Sequence, residues 1–137
     1  MKASIFRRQH FNAAHRLHNP AWTCEKNKEI FGLCNNPNYH GHNYVVIVKI
    51  TGEIDPGTGY IMDAKIIKEI IQDEVIDPFD HRNLNLDVPE FKNLNPTAEN
   101  ISVVIWDKIK ARLNPDFELG ITLYETENNY VEYNGQV

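Results

Sequence analysis

Residues 42–54 (HNYVVIVKITGEI) hold the densest β-branched and aromatic run of the chain and predict a strand. Upstream, residues 3–14 (ASIFRRQHFNAA) alternate more loosely, with Ile5, Arg7 and Gln9 on one side and Phe6, Arg8 and His10 on the other, and predict a strand ending near His15. Asp55-Pro56-Gly57-Thr58-Gly59 reads as a turn. Tyr60-Ile61-Met62 then reads as the start of a partner strand, which makes an antiparallel hairpin. Asp63 is placed to cap a helix over 64–76, where Ile66, Ile67, Ile70 and Ile71 recur at helical spacing, and Asp77-Pro78 is expected to stop it. Thr97 caps a second helix over 98–113, striped by Ile101, Val104, Ile105 and Ile109. Two final runs, 120–126 and 130–133, flank Glu127-Asn128-Asn129 and predict a second hairpin.

Between these elements, residues 16–39 show no convincing period, carry Pro20, Gly32 and Pro37, and read as one long loop. A segment of that length without regular structure is usually functional. Residues 78–96, with Pro78, Pro89 and Pro96, also read as loop. The order of strand, loop, hairpin, helix, loop, helix and hairpin predicts an α+β domain, its helices over one face of a mostly antiparallel sheet. With 137 residues, one domain over 1–137 is expected.

Composition narrows the class further. A chain with 42% hydrophobic and 24% charged residues is of ordinary globular type. Its net charge of -5 argues against nonspecific nucleic-acid binding, which needs a basic face to displace counterions, but leaves room for a local basic pocket. Charge at Lys2, Arg7 and Arg8 interrupts any early apolar run, and no later run approaches a membrane span. A cytoplasmic protein with no membrane partner is therefore expected, with Cys24 and Cys34 as reduced thiols.

The candidate chemistry centres on residues 34–44, CNNPNYHGHNY. His40 and His42 share one face if this run enters a strand, because side chains alternate with period two. His15, at the end of the first strand, adds a third imidazole if the two strands are neighbours. Three imidazoles are the pattern of a catalytic zinc with an open position, whereas Cys34 as a fourth ligand gives a closed structural site. Asp80 beside His81 offers a carboxylate that makes an imidazole a better base, and Cys34 as thiolate is a nucleophile or proton acceptor. Glu125, beside the last turn, offers a planar bidentate acceptor for a guanidine-like edge such as pterins and guanines present.

Six segments, FNAAHRL at 11–17, CNNPNYHGHNY at 34–44, GEIDPGTG at 52–59, DHRNL at 80–84, PTAEN at 96–100 and LYETENN at 123–129, together resemble the 6-pyruvoyltetrahydropterin synthase family over nearly the whole chain. The resemblance implies the tunnelling fold, or T-fold: a four-stranded antiparallel sheet with two helices on one face, trimers that close into a barrel, and usually a homohexamer of two trimers. It implies zinc held by His15, His40 and His42, and Cys34 with Asp80 and His81 as the catalytic set, the last two from a neighbouring subunit. Glu125 is implied as the pterin anchor and Thr97 as part of the pterin pocket. The implied reaction converts 7,8-dihydroneopterin triphosphate to 6-pyruvoyltetrahydropterin, with Arg16, Lys26 and Lys28 as candidate triphosphate contacts.

Five residues separate Cys34 from His40. The 6-carboxytetrahydropterin synthases of the queuosine pathway resemble C-x-x-x-H-G-H, with a shorter gap, so the spacing here favours the pyruvoyl-forming enzymes. The carboxy-forming enzyme is the alternative, and a non-catalytic pterin-binding T-fold protein is the second.

Overall fold

A computed structural model describes residues 1–135. Its strands are β1 (Lys2–His15), β2 (His40–Glu53), β3 (Arg82–Asn83), β4 (Glu118–Tyr124) and β5 (Tyr130–Tyr133), in the sheet order β3-β1-β2-β4-β5. β1 and β2 pair antiparallel along their whole length, from Lys2 opposite Glu53 to His15 opposite His40. That register brings their alternations into phase. Phe11 and Ala13 on β1 and Tyr44, Val46, Val48 and Ile50 on β2 are all buried on one face.

The longer helices are α1 (Cys24–Phe31), α2 (Ala64–Ile71) and α3 (Ala98–Lys110), and short helical turns lie between them, among them Leu84–Asp87 and Pro89–Phe91. Ile67, Ile70 and Ile71 of α2 and Ile101, Ile105 and Ile109 of α3 join the strand residues in one hydrophobic cluster. Full burial of a side chain such as Ile105 contributes about 1.5–3 kcal/mol, which anchors both helices to the sheet. The expected caps form: the Asp63 carboxylate accepts from Lys65 N at 2.9 Å and the Thr97 hydroxyl from Asn100 N at 3.1 Å. No helix among the described residues is long and apolar enough to cross a membrane.

Five expectations need correction. The segment 60–62 is not a strand, because both edges of β2 are already occupied by β1 and β4; one backbone bond, Asp55 N to Tyr60 O at 3.1 Å, closes the turn. The helix from Asp63 does not stop at Asp77-Pro78. It widens into a π turn (Gln72–Ile76) and runs on through Asp77–Phe79, where Pro78 sits in the first positions of the last turn and its missing N–H is tolerated. Residues 16–39 are not one loop, since α1 and a 3-10 turn (Gly32–Asn35) lie within them. The sheet has five strands rather than four, because Arg82 and Asn83 add a short parallel pairing with Ala13 and Ala14. Helix α3 also ends three residues earlier than the pattern predicts, at Lys110 rather than 113.

Candidate active site

Register decides where the three histidines fall. His15 ends β1 directly opposite His40 at the start of β2, and His42 lies two residues further along the same face. One candidate ligand nitrogen from each of His15, His40 and His42 can be chosen so that all three lie within 4.8 Å of one another. The rings meet edge to face, with centroids 4.6 to 5.0 Å apart. Tyr39, just before His40, takes a positive φ of 67°, a costly backbone state for a bulky residue that turns the chain into β2 at the site.

His15 is oriented from behind. Its Nδ1 lies 2.7 Å from the Pro96 carbonyl oxygen, and a carbonyl only accepts, so Nδ1 carries the hydrogen and Nε2 is left bare. The Tyr44 hydroxyl sits 3.2 Å from the same Nδ1. Burial drives the His15 pKa down to about 4, and burial followed by the nearby His42 lowers that of His40. Burial, and then the charge of Glu125, raises that of Tyr44 and keeps its hydroxyl protonated. His15 is thereby held neutral at neutral pH, the form that ligates metal.

The site fits a divalent metal on the structure's own terms. His15 Nε2, both ring nitrogens of His40, and His42 Nε2 are buried without a hydrogen-bond partner. A buried unsatisfied polar atom costs about 1–3 kcal/mol, so four of them clustered on three imidazoles mark a place where a shared cation offsets a real penalty. Cys34 is not part of this cluster, which leaves the closed four-ligand alternative unsupported. The cysteine is held beside the site instead. Leu17 N donates to Cys34 O at 2.9 Å, Arg16 Nε to Asn35 O at 2.9 Å, and Asn35 Nδ2 to Leu17 O at 2.7 Å, tying residues 34–35 to the chain that leaves His15.

Glu125 reaches the cluster from the end of β4, its Oε1 3.6 Å from His42 Nε2. It lines a recess of about 370 Å³ together with Thr97 and Leu17, so the two candidate pterin contacts share one wall system. Asp80 and His81 lie elsewhere, at the outer edge of β1. Asn12 N donates to Asp80 Oδ1 at 2.8 Å, His81 N donates to the Asn12 carbonyl at 2.6 Å, and His81 Nδ1 donates to Asp80 Oδ2 at 2.8 Å. The Asn12 amide, then the histidine, holds the Asp80 pKa below the usual carboxylate range. His81 has a φ of 59° and a side chain 83% exposed, so within one chain its ring faces solvent and not the histidine cluster.

The sequence pattern misses several residues that shape the site. Tyr44 continues the period of His40 and His42, so its place is readable. Asn35 and the Pro96 carbonyl carry no sequence signal of their roles, which depend on folds of loops far apart in the chain.

Three clustered imidazoles that could hold a metal, beside a recess that Glu125 lines at the end of an antiparallel sheet backed by helices, define an enzyme of the T-fold class. A sequence profile described as 6-pyruvoyl tetrahydropterin synthase matches residues 4–136, and the chain belongs to that family. It is 43% identical over 135 residues to the human 6-pyruvoyl tetrahydrobiopterin synthase, covering 98% of this chain and 93% of that one. The Dictyostelium discoideum protein of the same name is 43% identical over 132 residues, covering 96% of each. The solved structure of the Caenorhabditis elegans 6-pyruvoyl tetrahydropterin synthase superposes with a TM-score of 0.94 at 40% identity, over 99% of this chain and 97% of that one.

Proposed function

We propose that this protein is a zinc-dependent lyase that converts 7,8-dihydroneopterin triphosphate to 6-pyruvoyltetrahydropterin and triphosphate. The observation that carries the reading is the cluster of three imidazoles with His42 beside Glu125, and with the Cys34 segment bonded to the chain that leaves His15. Zinc suits a set of neutral imidazoles with an open position, and His15, His40 and His42 would hold it. Bound there, it would supply Lewis acidity toward the oxygens of the substrate side chain.

The protein's own groups do the rest. The Glu125 carboxylate accepts two N–H bonds from the amino-pyrimidine edge, and the Thr97 segment closes the same recess. Cys34 exchanges the proton on the side-chain carbon. His81, whose Nδ1–H is committed to Asp80, presents Nε2 as the second acid/base group. The ring gains the hydrogens that the side chain gives up, and the triphosphate leaves with the electron pair of its C–O bond, so no external reductant enters.

The exposed His81 suits a pair contributed to a neighbour's site, as in a homohexamer of two trimers whose sheets close into a barrel. We assign all of 1–137 to one such T-fold unit and place the assembly in the cytoplasm. Incubation of the purified protein with dihydroneopterin triphosphate tests the reading: triphosphate release that stops on chelation and returns with zinc supports it. Release unaffected by chelation, with metal analysis showing an empty site, would remove the metal role.

A further inference from the structure

Residues 32–38 carry the Cys34 thiol across the surface, and among them only Asn35 is buried, at 4% exposure. Leu33 is 91% exposed, and residues 36–38 are exposed as well. The one buried side chain of the segment is therefore polar. An apolar anchor can slide in its pocket, because hydrophobic contact has no direction. An amide cannot, since hydrogen bonds weaken steeply as their geometry degrades.

The Asn35 carboxamide has both of its N–H bonds committed. Nδ2 donates to Leu17 O at 2.7 Å and to His18 Nδ1 at 2.9 Å. A carbonyl only accepts, so the nitrogen of the amide and not its oxygen faces Leu17, and the His18 ring takes the second hydrogen on a bare Nδ1. Two bonds to backbone oxygens complete the join: Leu17 N donates to Cys34 O and Arg16 Nε to Asn35 O, each at 2.9 Å. All four bonds end on residues 16–18, directly after His15. Further along, Asn36 N donates to Leu33 O at 3.1 Å and Tyr39 N to Asn36 O at 3.0 Å, before the chain enters β2. Both of these are local, so they shape the loop without fixing it to the rest of the molecule.

We propose that Asn35 is the positioning residue of Cys34: its carboxamide sets where the thiol stands relative to the three histidines, and it acts on the reaction through Cys34. This rests on the proposed function, which makes Cys34 the group that exchanges the side-chain proton. Misplacing a reacting group by about 1 Å can cost about a hundredfold in rate, so a lost anchor shows in kcat rather than in KM.

Asn35→Leu tests this, because it keeps the shape of the side chain, adds no charge, removes both donors and leaves the bonds to the Cys34 and Asn35 carbonyls in place. Brief labelling of the zinc-loaded protein with iodoacetamide, read by mass spectrometry as the ratio of labelled Cys34 to labelled Cys24, reports where the thiol stands, with the exposed Cys24 as internal reference. Steady-state kinetics on dihydroneopterin triphosphate supplies the second reading. Asn35→Leu should raise the labelling ratio and lower kcat by about tenfold to a hundredfold, with KM and zinc content as in native protein. His18→Leu removes one of the two acceptors and should move both readings the same way by less; if Asn35→Leu fails to fold, His18→Leu alone carries the test. Native kcat in the folded variant, or a lowered kcat at an unchanged labelling ratio, would overturn the assignment and leave the proposed function standing. A ratio that rises in Asn35→Leu while native protein turns over no substrate would keep Asn35 as the anchor of Cys34 and discard the reaction.

Discussion

Acidification of the metal-free protein should cost stability through one buried ring. His15 is 1% exposed, and burial lowers its pKa from 6.5 to about 4. Between those values the unfolded chain binds a proton that the folded chain refuses, so stability present above pH 6.5 is lost as pH falls toward 4. A pKa that is lower by one in the folded chain than in the unfolded chain corresponds to about 1.4 kcal/mol. The fall from 6.5 to about 4 therefore amounts to about 3 kcal/mol, with His40 adding in the same direction. That is a large share of the roughly 5–15 kcal/mol that holds a domain folded. Urea unfolding of chelator-treated protein at half-unit steps from pH 7 to 4 reads the slope. His15→Gln removes the titrating ring and keeps a donor for the Pro96 carbonyl, so its stability should fall by about 3 kcal/mol less over the window. Equal slopes in native protein and His15→Gln would sink this prediction, because the ring would then be titrating as it does in water.

Other consequences follow from the placement of individual groups. Cys34→Ala should keep its metal in elemental analysis and lose turnover by at least about a hundredfold, as expected for a removed acid/base group; loss of metal would make Cys34 a ligand. Glu125→Gln should weaken dihydroneopterin by about 1.5–3 kcal/mol in a binding titration, the worth of a hydrogen bond to a charged acceptor, while retaining metal. Asp80→Asn should slow turnover and alter its pH profile by loosening the Nδ1–H hold on His81, and an unchanged profile would count against the pair's role.

Local patterns make a good part of this molecule readable. β1, β2, the last hairpin and α3 stand in the sequence because each alternates or repeats on its own, and the shared face of His40 and His42 follows from strand geometry alone. That His15 joins them depends on which strands are neighbours, and only the register of β1 on β2 supplies that. α1 escapes notice because its polar face hides the period, although Thr23 caps it and Gly32 ends it at a φ of 56°. Pro78 reads as a stop because sequence does not show the π turn that accommodates it. The separation of Asp80 and His81 from the histidines is unreadable in a different sense: it depends on a two-residue parallel pairing with β1.

What sets this enzyme's product is which bond the site breaks. Dihydroneopterin triphosphate incubated with the zinc-loaded protein, under conditions that exclude oxygen, yields products that mass spectrometry identifies. The expected products are 6-pyruvoyltetrahydropterin and triphosphate in equal amounts, with the side-chain carbons all retained on the ring. Acetaldehyde together with a 6-carboxylated pterin would contradict the proposed reaction.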